Sequence, residues 1–350
     1  MQRASVLELK KKVLRSLNRS TIARVSAGAQ GLVPERLERR LAVGYSQVKK
    51  EEYRLELRVQ KGRGPAYAEA EKVKELAKGE ANIDIVPRIE IPSTAALLEA
   101  SGKPSLIGQQ RPLHMGLSVG HAAGGAGTLG CFVETPDGEG FLSNQHVLAP
   151  IEDVKTGAHG DRIYQPGRPD RPRLTARDEV ARLSNYGVVD RSNRNAVDWA
   201  IATLSDGVAH EGNRIPTGLD CPFEGKVVQR TGGYDLLGLD ALVYKVGRTT
   251  GFTIGLVSAV ALDNVPVWTP QGNVIFDNVI EVRWLSDDIP FSAPGDSGSA
   301  VFTEDESDLV AIGLHFAGGR AERDGEEVGL SFACSLTDVL SDCDGELHRS

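Results

Sequence analysis

From about Gly116 onward the chain is written in short β-prone runs separated by turn signals: TLGCFVE, GEGFLSNQ, VDWAIATL, LVYKVG, GLVSAVAL, VIFDNVIEVRWL, SGSAVF, LVAIGLHFAG and VGLSFAC. Between them there is little room for crossover helices, which excludes a parallel α/β sheet and predicts an antiparallel barrel or sandwich. No self-similarity recurs at a period of about 20 to 50 residues, so solenoids and propellers are also excluded.

The residues before this region follow other rules. Val6, Leu9, Val13 and Leu17 fall three or four apart among Lys and Arg, predicting an amphipathic helix over 5–18, and a short second helix is expected from Pro34. EYRLELRVQ alternates, PAYAEAEKVKELAKG returns to helical spacing and NIDIVPRIEI alternates again. This strand, helix, strand order predicts a small α+β unit over 1–92. A Pro-, Gly- and Ser-rich linker is placed at 93–115, followed by a β domain at 116–345.

Of the 40 Lys and Arg and 48 Asp and Glu in the 350 residues, 20 basic and 13 acidic side chains lie in the first hundred positions. That part carries +7 and the remainder −15. A basic amphipathic helix suits a membrane surface, a nucleic acid or its own domain. Docking on its own domain is preferred, with partner binding or self-assembly through the amino-terminal unit as a further expectation. Nucleic acid is disfavoured, since aromatic residues are scarce there and the acidic part would repel phosphates. No apolar run reaches the ~18 residues of a membrane span, and the basic start lacks a leader's apolar core, so a cytoplasmic location is expected. Cys131, Cys221, Cys334 and Cys343 form no CxxC pair and are read as reduced and packed in the interior. His114 and His121 lack acidic or thiol partners nearby, so neither a metal nor a cofactor is expected.

Three islands carry chemistry: SNQHVLA around His146, NAVDWAIATL around Asp198 and APGDSGSAVF around Ser297. A serine hydroxyl is a weak nucleophile until an imidazole takes its proton. The imidazole in turn needs a carboxylate to fix its tautomer and stabilise its charged form. The α/β-hydrolase alternative does not fit, because its elbow reads GxSxG and its triad runs Ser, acid, His.

GDSGS before an apolar strand, a His closing LSNQH and an Asp opening DWAIATL resemble the three signatures of the chymotrypsin/trypsin clan of serine proteases, in that clan's order. Through GTLGCFV, LSNQHVLA, KVGRTTGFTIG, GDSGSAVF and GLHFAGG the chain is similar to cytosolic bacterial trypsin-like peptidases and to the plant narrow-leaf type. The resemblance implies an all-β double six-stranded barrel, one barrel over about 116–215 and the other over about 222–340, with the active site between them. It implies a serine endopeptidase acting on protein or peptide substrates. His146 would be general base, Asp198 its orienting acid and Ser297 the nucleophile, with the N–H groups of Gly295 and Ser297 as oxyanion hole. The rival reading is an inert scaffold or binding protein on the same fold.

In GxHxxGG the resemblance extends to viral 3C-type and glutamyl-specific proteases, which implies His315 in the pocket for the residue preceding the cleaved bond (P1), with Phe291, Phe316 and Gly318 about it, and a preference for Gln or Glu. Phe291 stands where trypsin-like members keep a pocket acid, so cleavage after Lys or Arg is disfavoured. Asp296 is expected to find an internal partner, an arginine, with Arg248 one candidate, or backbone donors, because an unpaired buried carboxylate is costly.

Overall fold

The apolar stripe at the amino terminus docks on the sheet that follows it. The computed structural model describes residues 1–25, 41–60, 64–92, 102–150, 158–171, 173–270, 272–323 and 325–349, so the helix expected from Pro34 lies outside the described residues. Helix α1 (Arg3–Val25) buries Val6, Val13 and Leu17 in one cluster with Leu41, Val43, Leu55 and Leu57. Its Lys10 is buried too, paired with Asp263 at 2.8 Å and donating to the carbonyl of Ala261.

Strands β1 (Leu41–Lys49) and β2 (Glu52–Val59) form an antiparallel hairpin, and β3 (Ala81–Glu90) runs parallel to β2 after the crossover helix α2 (Pro65–Leu76). Pro65 opens α2 where its missing N–H costs nothing. The expected strand, helix and strand are thus present. One further strand, β1, precedes them. The segment expected as linker holds one helical turn, α3 (Pro104–Ile107).

The first barrel contains β4 (Ser118–His121), β5 (Gly127–Thr128), β6 (Cys131–Thr135), β7 (Gly138–Ser143), β8 (Arg162–Tyr164), β9 (Glu179–Tyr186), the two-residue β10 (Arg194–Asn195) outside the ring, and β11 (Ala200–Leu204). Pairing runs β6, β7, β11, β9, β8, β4 and β5. Since β5 leads almost directly into β6, the bonds from Leu129 N to Leu117 O (2.8 Å) and from Gly130 N to Leu142 O (2.9 Å) close a ring of six.

The second half contributes β12 (Val228–Thr231), β13 (Leu242–Gly247), β14 (Gly251–Asp263), β15 (Val265–Thr269), β16 (Gly272–Phe276), β17 (Val279–Trp284), β18 (Ala300–Asp305), β19 (Asp308–Arg323) and β20 (Glu326–Ser335). Here β13, β14, β17, β20, β19 and β18 pair in a closed cycle, the second six-stranded barrel. Closure leaves no free edge within each ring. The architecture is the expected all-β double six-stranded barrel with an α+β amino-terminal part.

Strands β14 and β19 have 13 and 16 residues and run past the second barrel. Their extra lengths receive the amino-terminal strands. β1 pairs with β14 at Val43↔Asp263 and Tyr45↔Val260, and β3 pairs with β19 from Gly318↔Glu90 to Glu322↔Ile85. The junction is sealed by buried charge. Arg58 of β2 meets Glu281 of β17 through Nη2 (2.8 Å) and Nε (2.9 Å), Glu56 at 3.1 Å and Asp84 at 3.2 Å. Arg323 of β19 reaches Asp84 from the barrel side. Burial opposes the Arg58 charge, yet Glu281, Asp84 and Glu56 raise its pKa above the ordinary arginine value.

Removing one member of such a group strands buried charge. Arg58→Met is therefore expected to destabilise the protein by about 3–5 kcal/mol. Thermal unfolding should remain a single transition, because the amino-terminal strands and the second barrel share one sheet. Two separated transitions, or a loss near zero, would contradict this account.

Candidate active site

Strand β7 ends at Ser143, and His146 follows in the one-turn helix α4 (Gln145–Leu148), so the histidine sits just beyond the strand that was expected to end on it. Asp198 lies two residues before β11, the strand beside β7. Adjacent strands thus deliver imidazole and carboxylate to one place. The His146 Nδ1–H donates to Asp198 Oδ2 at 2.7 Å, and the backbone N–H of Gln145 donates to Oδ1 at 2.8 Å. Asn144 Nδ2 donates to the Asp198 carbonyl at 2.7 Å. Asp198 has no exposed surface, so its carboxylate acts on the ring without solvent screening.

With the proton held on Nδ1, His146 Nε2 presents a lone pair. That atom is buried and has no hydrogen-bond partner among the described residues, and the same is true of Ser297 Oγ. Ser297 sits in the turn before β18 of the second barrel, against β5 of the first. Its carbonyl accepts from Thr128 N at 2.8 Å, while Thr128 Oγ1 donates to the Gly295 carbonyl at 2.9 Å. A Cβ added to Gly127 would lie 2.5 Å from a Val147 methyl and 2.8 Å from the Ser297 carbonyl oxygen. The histidine helix and the serine turn therefore meet across one glycine.

Gly295 has φ +100°, a left-handed conformation in which a Cβ would also meet Arg248 Nη1 and Thr249 Oγ1 at 2.4 Å. Neither its N–H nor that of Ser297 has an acceptor among the described residues. Two donors are thus left over beside the hydroxyl.

Asp296 does find an internal partner, and it is Lys245. Its Nζ lies 3.2 Å from Asp296 Oδ2, both side chains being fully buried. Thr250 Oγ1 (2.7 Å), Ala293 N (2.9 Å), Thr249 N (2.9 Å) and Thr250 N (3.1 Å) also donate to this carboxylate. Arg248, the candidate from sequence, turns instead to Asp170, donating through Nε at 2.7 Å. Burial disfavours the Asp296 charge, but Lys245, Thr250 and the backbone donors hold its pKa below the usual carboxylate value. The signal for Lys245 was present as a lysine inside the apolar run LVYKVG.

His315, on β19, lines a cavity of about 390 Å³ together with Ser292, Pro294, Ala317, Gly318 and, from β3, Arg88 and Glu90. Its Nδ1–H donates to the Phe332 carbonyl at 3.1 Å. Burial, then Lys245, pushes its pKa down to about 3. Gly318 shares the cavity, whereas Phe291 and Phe316 do not line it. Phe316 lies against Phe276 at 4.6 Å between ring centroids, and Phe291 lies beneath Lys245.

One cluster went unseen in the sequence: Glu139, His210 and His348 bring their polar atoms within 4.8 Å of one another. Gly212 N–H donates to His210 Nδ1 at 3.0 Å, so the neutral ring carries its proton on Nε2, which faces Glu139 at 2.9 Å. The proton already accounts for that contact. All four cysteines are free, Cys221 half-buried and the others buried.

No family model matches the chain, and no curated protein matches it in sequence. Among solved structures it is similar to a chymotrypsin of Cellulomonas bogoriensis, at 16% identity over 68% of this chain and 98% of the other, with a TM-score of 0.44. The Nocardiopsis protease NAPase gives 17% identity over 68% and 98%, with a TM-score of 0.46. A glutamic acid-specific serine protease, described as using a histidine triad in substrate binding, gives 18% identity over 67% and 100%, with a TM-score of 0.44. The chemistry assigned to this chain rests on its own side-chain geometry.

Lys245→Met would leave Asp296 buried without its cation, at an expected cost of about 3–5 kcal/mol near neutral pH. The sign in acid follows from the lowered folded pKa. The Asp296 contribution is full above the unfolded carboxylate value and is lost as pH falls through the lower folded one. Denaturation across pH should therefore show the variant's deficit shrinking in strong acid. A deficit that does not change with pH would remove the ion pair from the account.

Proposed function

We propose that the protein is a serine peptidase that hydrolyses peptide bonds through an acyl-enzyme intermediate on Ser297. The observation that carries the reading is the Nδ1–carboxylate bond of His146 and Asp198, which leaves a buried Nε2 lone pair on a helix that meets the Ser297 turn across Gly127, with Nε2 and Ser297 Oγ each lacking a partner among the described residues. His146 Nε2 takes the Ser297 proton as Oγ attacks the carbonyl carbon. The developing oxyanion is received by the N–H groups of Gly295 and Ser297, and the imidazolium gives its proton to the departing amine. Water, deprotonated by the same nitrogen, then attacks the ester and frees Ser297. Asp198 stabilises the charged ring without being protonated itself. The amino-terminal unit, residues 1–92, would serve the catalytic part rather than supply its triad.

His315 is the specificity residue in this reading. A carbonyl can only accept, so the contact with Phe332 fixes the proton on Nδ1 and makes Nε2 an acceptor. Such a nitrogen matches the amide N–H of a P1 glutamine and opposes a P1 glutamate carboxylate, narrowing the Gln or Glu expectation to Gln. Because the His315 pKa sits at about 3, the ring remains neutral throughout the working range.

Ser297→Ala and His146→Ala are each expected to lower kcat on the order of a million-fold, and a fluorophosphonate should label the parent protein at Ser297. Unimpaired cleavage by Ser297→Ala would end the proposal. Peptides differing only at P1 should give kcat/KM at least about tenfold higher for Gln than for Glu. That ratio should stay flat between about pH 6 and 8, where neither His315 nor a glutamate side chain (ordinary pKa about 4.3) titrates. A preference for Glu, or one that reverses over this range, would remove His315 from the pocket's chemistry.

A further inference from the structure

Strand β19 passes both the serine turn and the cavity, and its two edges are unequally filled. On one edge β20 accompanies it from Gly313 to Arg323. On the other, β18 pairs only as far as Leu314, His315 N donates to Ser299 O at 2.9 Å, and Gly298 N donates to His315 O at 2.8 Å. From Gly318 onward that same edge is taken by β3, beginning with Glu90. Among the described residues, only Phe316 and Ala317 are left without a partner strand on it. At about 3.3 Å per residue the gap is roughly 7 Å long.

An extended peptide binds most readily by adding a strand to an open edge. One whose scissile carbonyl lies at Ser297 would run along Phe316 and Ala317 and then meet Glu90. β3 is not easily displaced, because Ile91 N donates to Trp268 O at 3.0 Å on its far side and Arg88 stacks on Trp268 at 4.2 Å. Of the cavity's charged groups, Arg320 is held by Asp287 and Glu327, and Arg88 by the Trp268 ring and Glu90 Oε2 at 2.9 Å. Glu90 Oε1 has no protein donor among the described residues.

Building on the peptidase reading, we propose that β3 closes the cleft about two residues before the scissile bond, so that the enzyme cuts near a free amino terminus and Glu90 receives the substrate's α-ammonium. The substrate class is then peptides, or unfolded amino-terminal ends of proteins, from which short fragments are released. A free ammonium pairs with Glu90, whereas a longer or acetylated chain brings uncharged bulk against the Glu90–Pro92 backbone. The basic amino-terminal unit thereby becomes one wall of the substrate site.

The test uses the full-length protein, with active sites titrated by a fluorophosphonate. A peptide series keeps the residue pair before the cleaved bond constant and adds zero, one, two or four residues ahead of it, each with a free and an acetylated terminus. A drop in kcat/KM of at least about tenfold on adding the first residue is expected, with a similar loss on acetylating the shortest member. Glu90→Gln should erase the difference between free and acetylated termini, with Ser297 labelling reporting that its site is folded. Rates that are flat or rise with added length, in protein that labels at Ser297, would overturn this inference while leaving the peptidase reading intact. Neither labelling nor cleavage of any peptide would overturn both.

Discussion

One buried carboxylate holds the turn on which the proposed chemistry depends. Asp296 gathers five donors, four of them neutral groups from Ala293, Thr249 and Thr250 and the fifth the ammonium of Lys245. Its neighbours Gly295 and Ser297 are thereby fixed in the conformation that leaves their N–H groups unused. A buried carboxylate with a single cation would barely repay its desolvation. A cage of backbone and hydroxyl donors shifts that balance, because each bond adds stabilisation that water no longer competes for. Lys245 belongs to β13 and Thr250 to the turn leading into β14, so the cage is made by the second barrel alone.

The first barrel enters through Thr128. Its N–H holds the Ser297 carbonyl and its hydroxyl holds the Gly295 carbonyl, while the hydroxyl oxygen accepts from Arg248 N at 3.1 Å. One small side chain in β5 thus fixes the serine turn against the barrel that carries His146. Gly127 beside it keeps the distance short, and a larger residue would drive the two barrels apart at the point where imidazole and hydroxyl must meet.

Much of this was legible in the sequence, for physical reasons. Strand runs and turns are local, so an antiparallel barrel or sandwich could be expected from alternation and turn residues, while the division into two six-stranded barrels was implied only by the resemblance. The three islands could be expected because their chemistry requires particular side chains. Pairing between distant strands is not local. Nothing in the run of β1 names β14 as its partner, and nothing in NIDIVPRIEI says that its end will lie against Gly318. Of the partners expected for Asp296, the backbone donors are present and the arginine is not, since Arg248 is about as close in sequence as Lys245 and only the inward pleat of β13 selects the lysine. The His315 tautomer depends on one carbonyl contributed by β20, which spacing cannot encode.

The segregation of charge acquires a physical meaning at the junction. Arg58 comes from the basic part, whereas Glu281 comes from the acidic part, and they meet where no water screens them. Arg323 and Asp84 make the same exchange in the opposite sense. Had the amino-terminal unit been a tethered accessory, its surface charges would be solvated and its strands capped against pairing. Instead its hydrogen-bonding edges are filled by β14 and β19, and its buried charges are completed by the barrel. A segment joined in this way sets the limits of whatever lies along the rest of β19, because moving β3 would require breaking the sheet and exposing Arg58, Glu56 and Asp84 together.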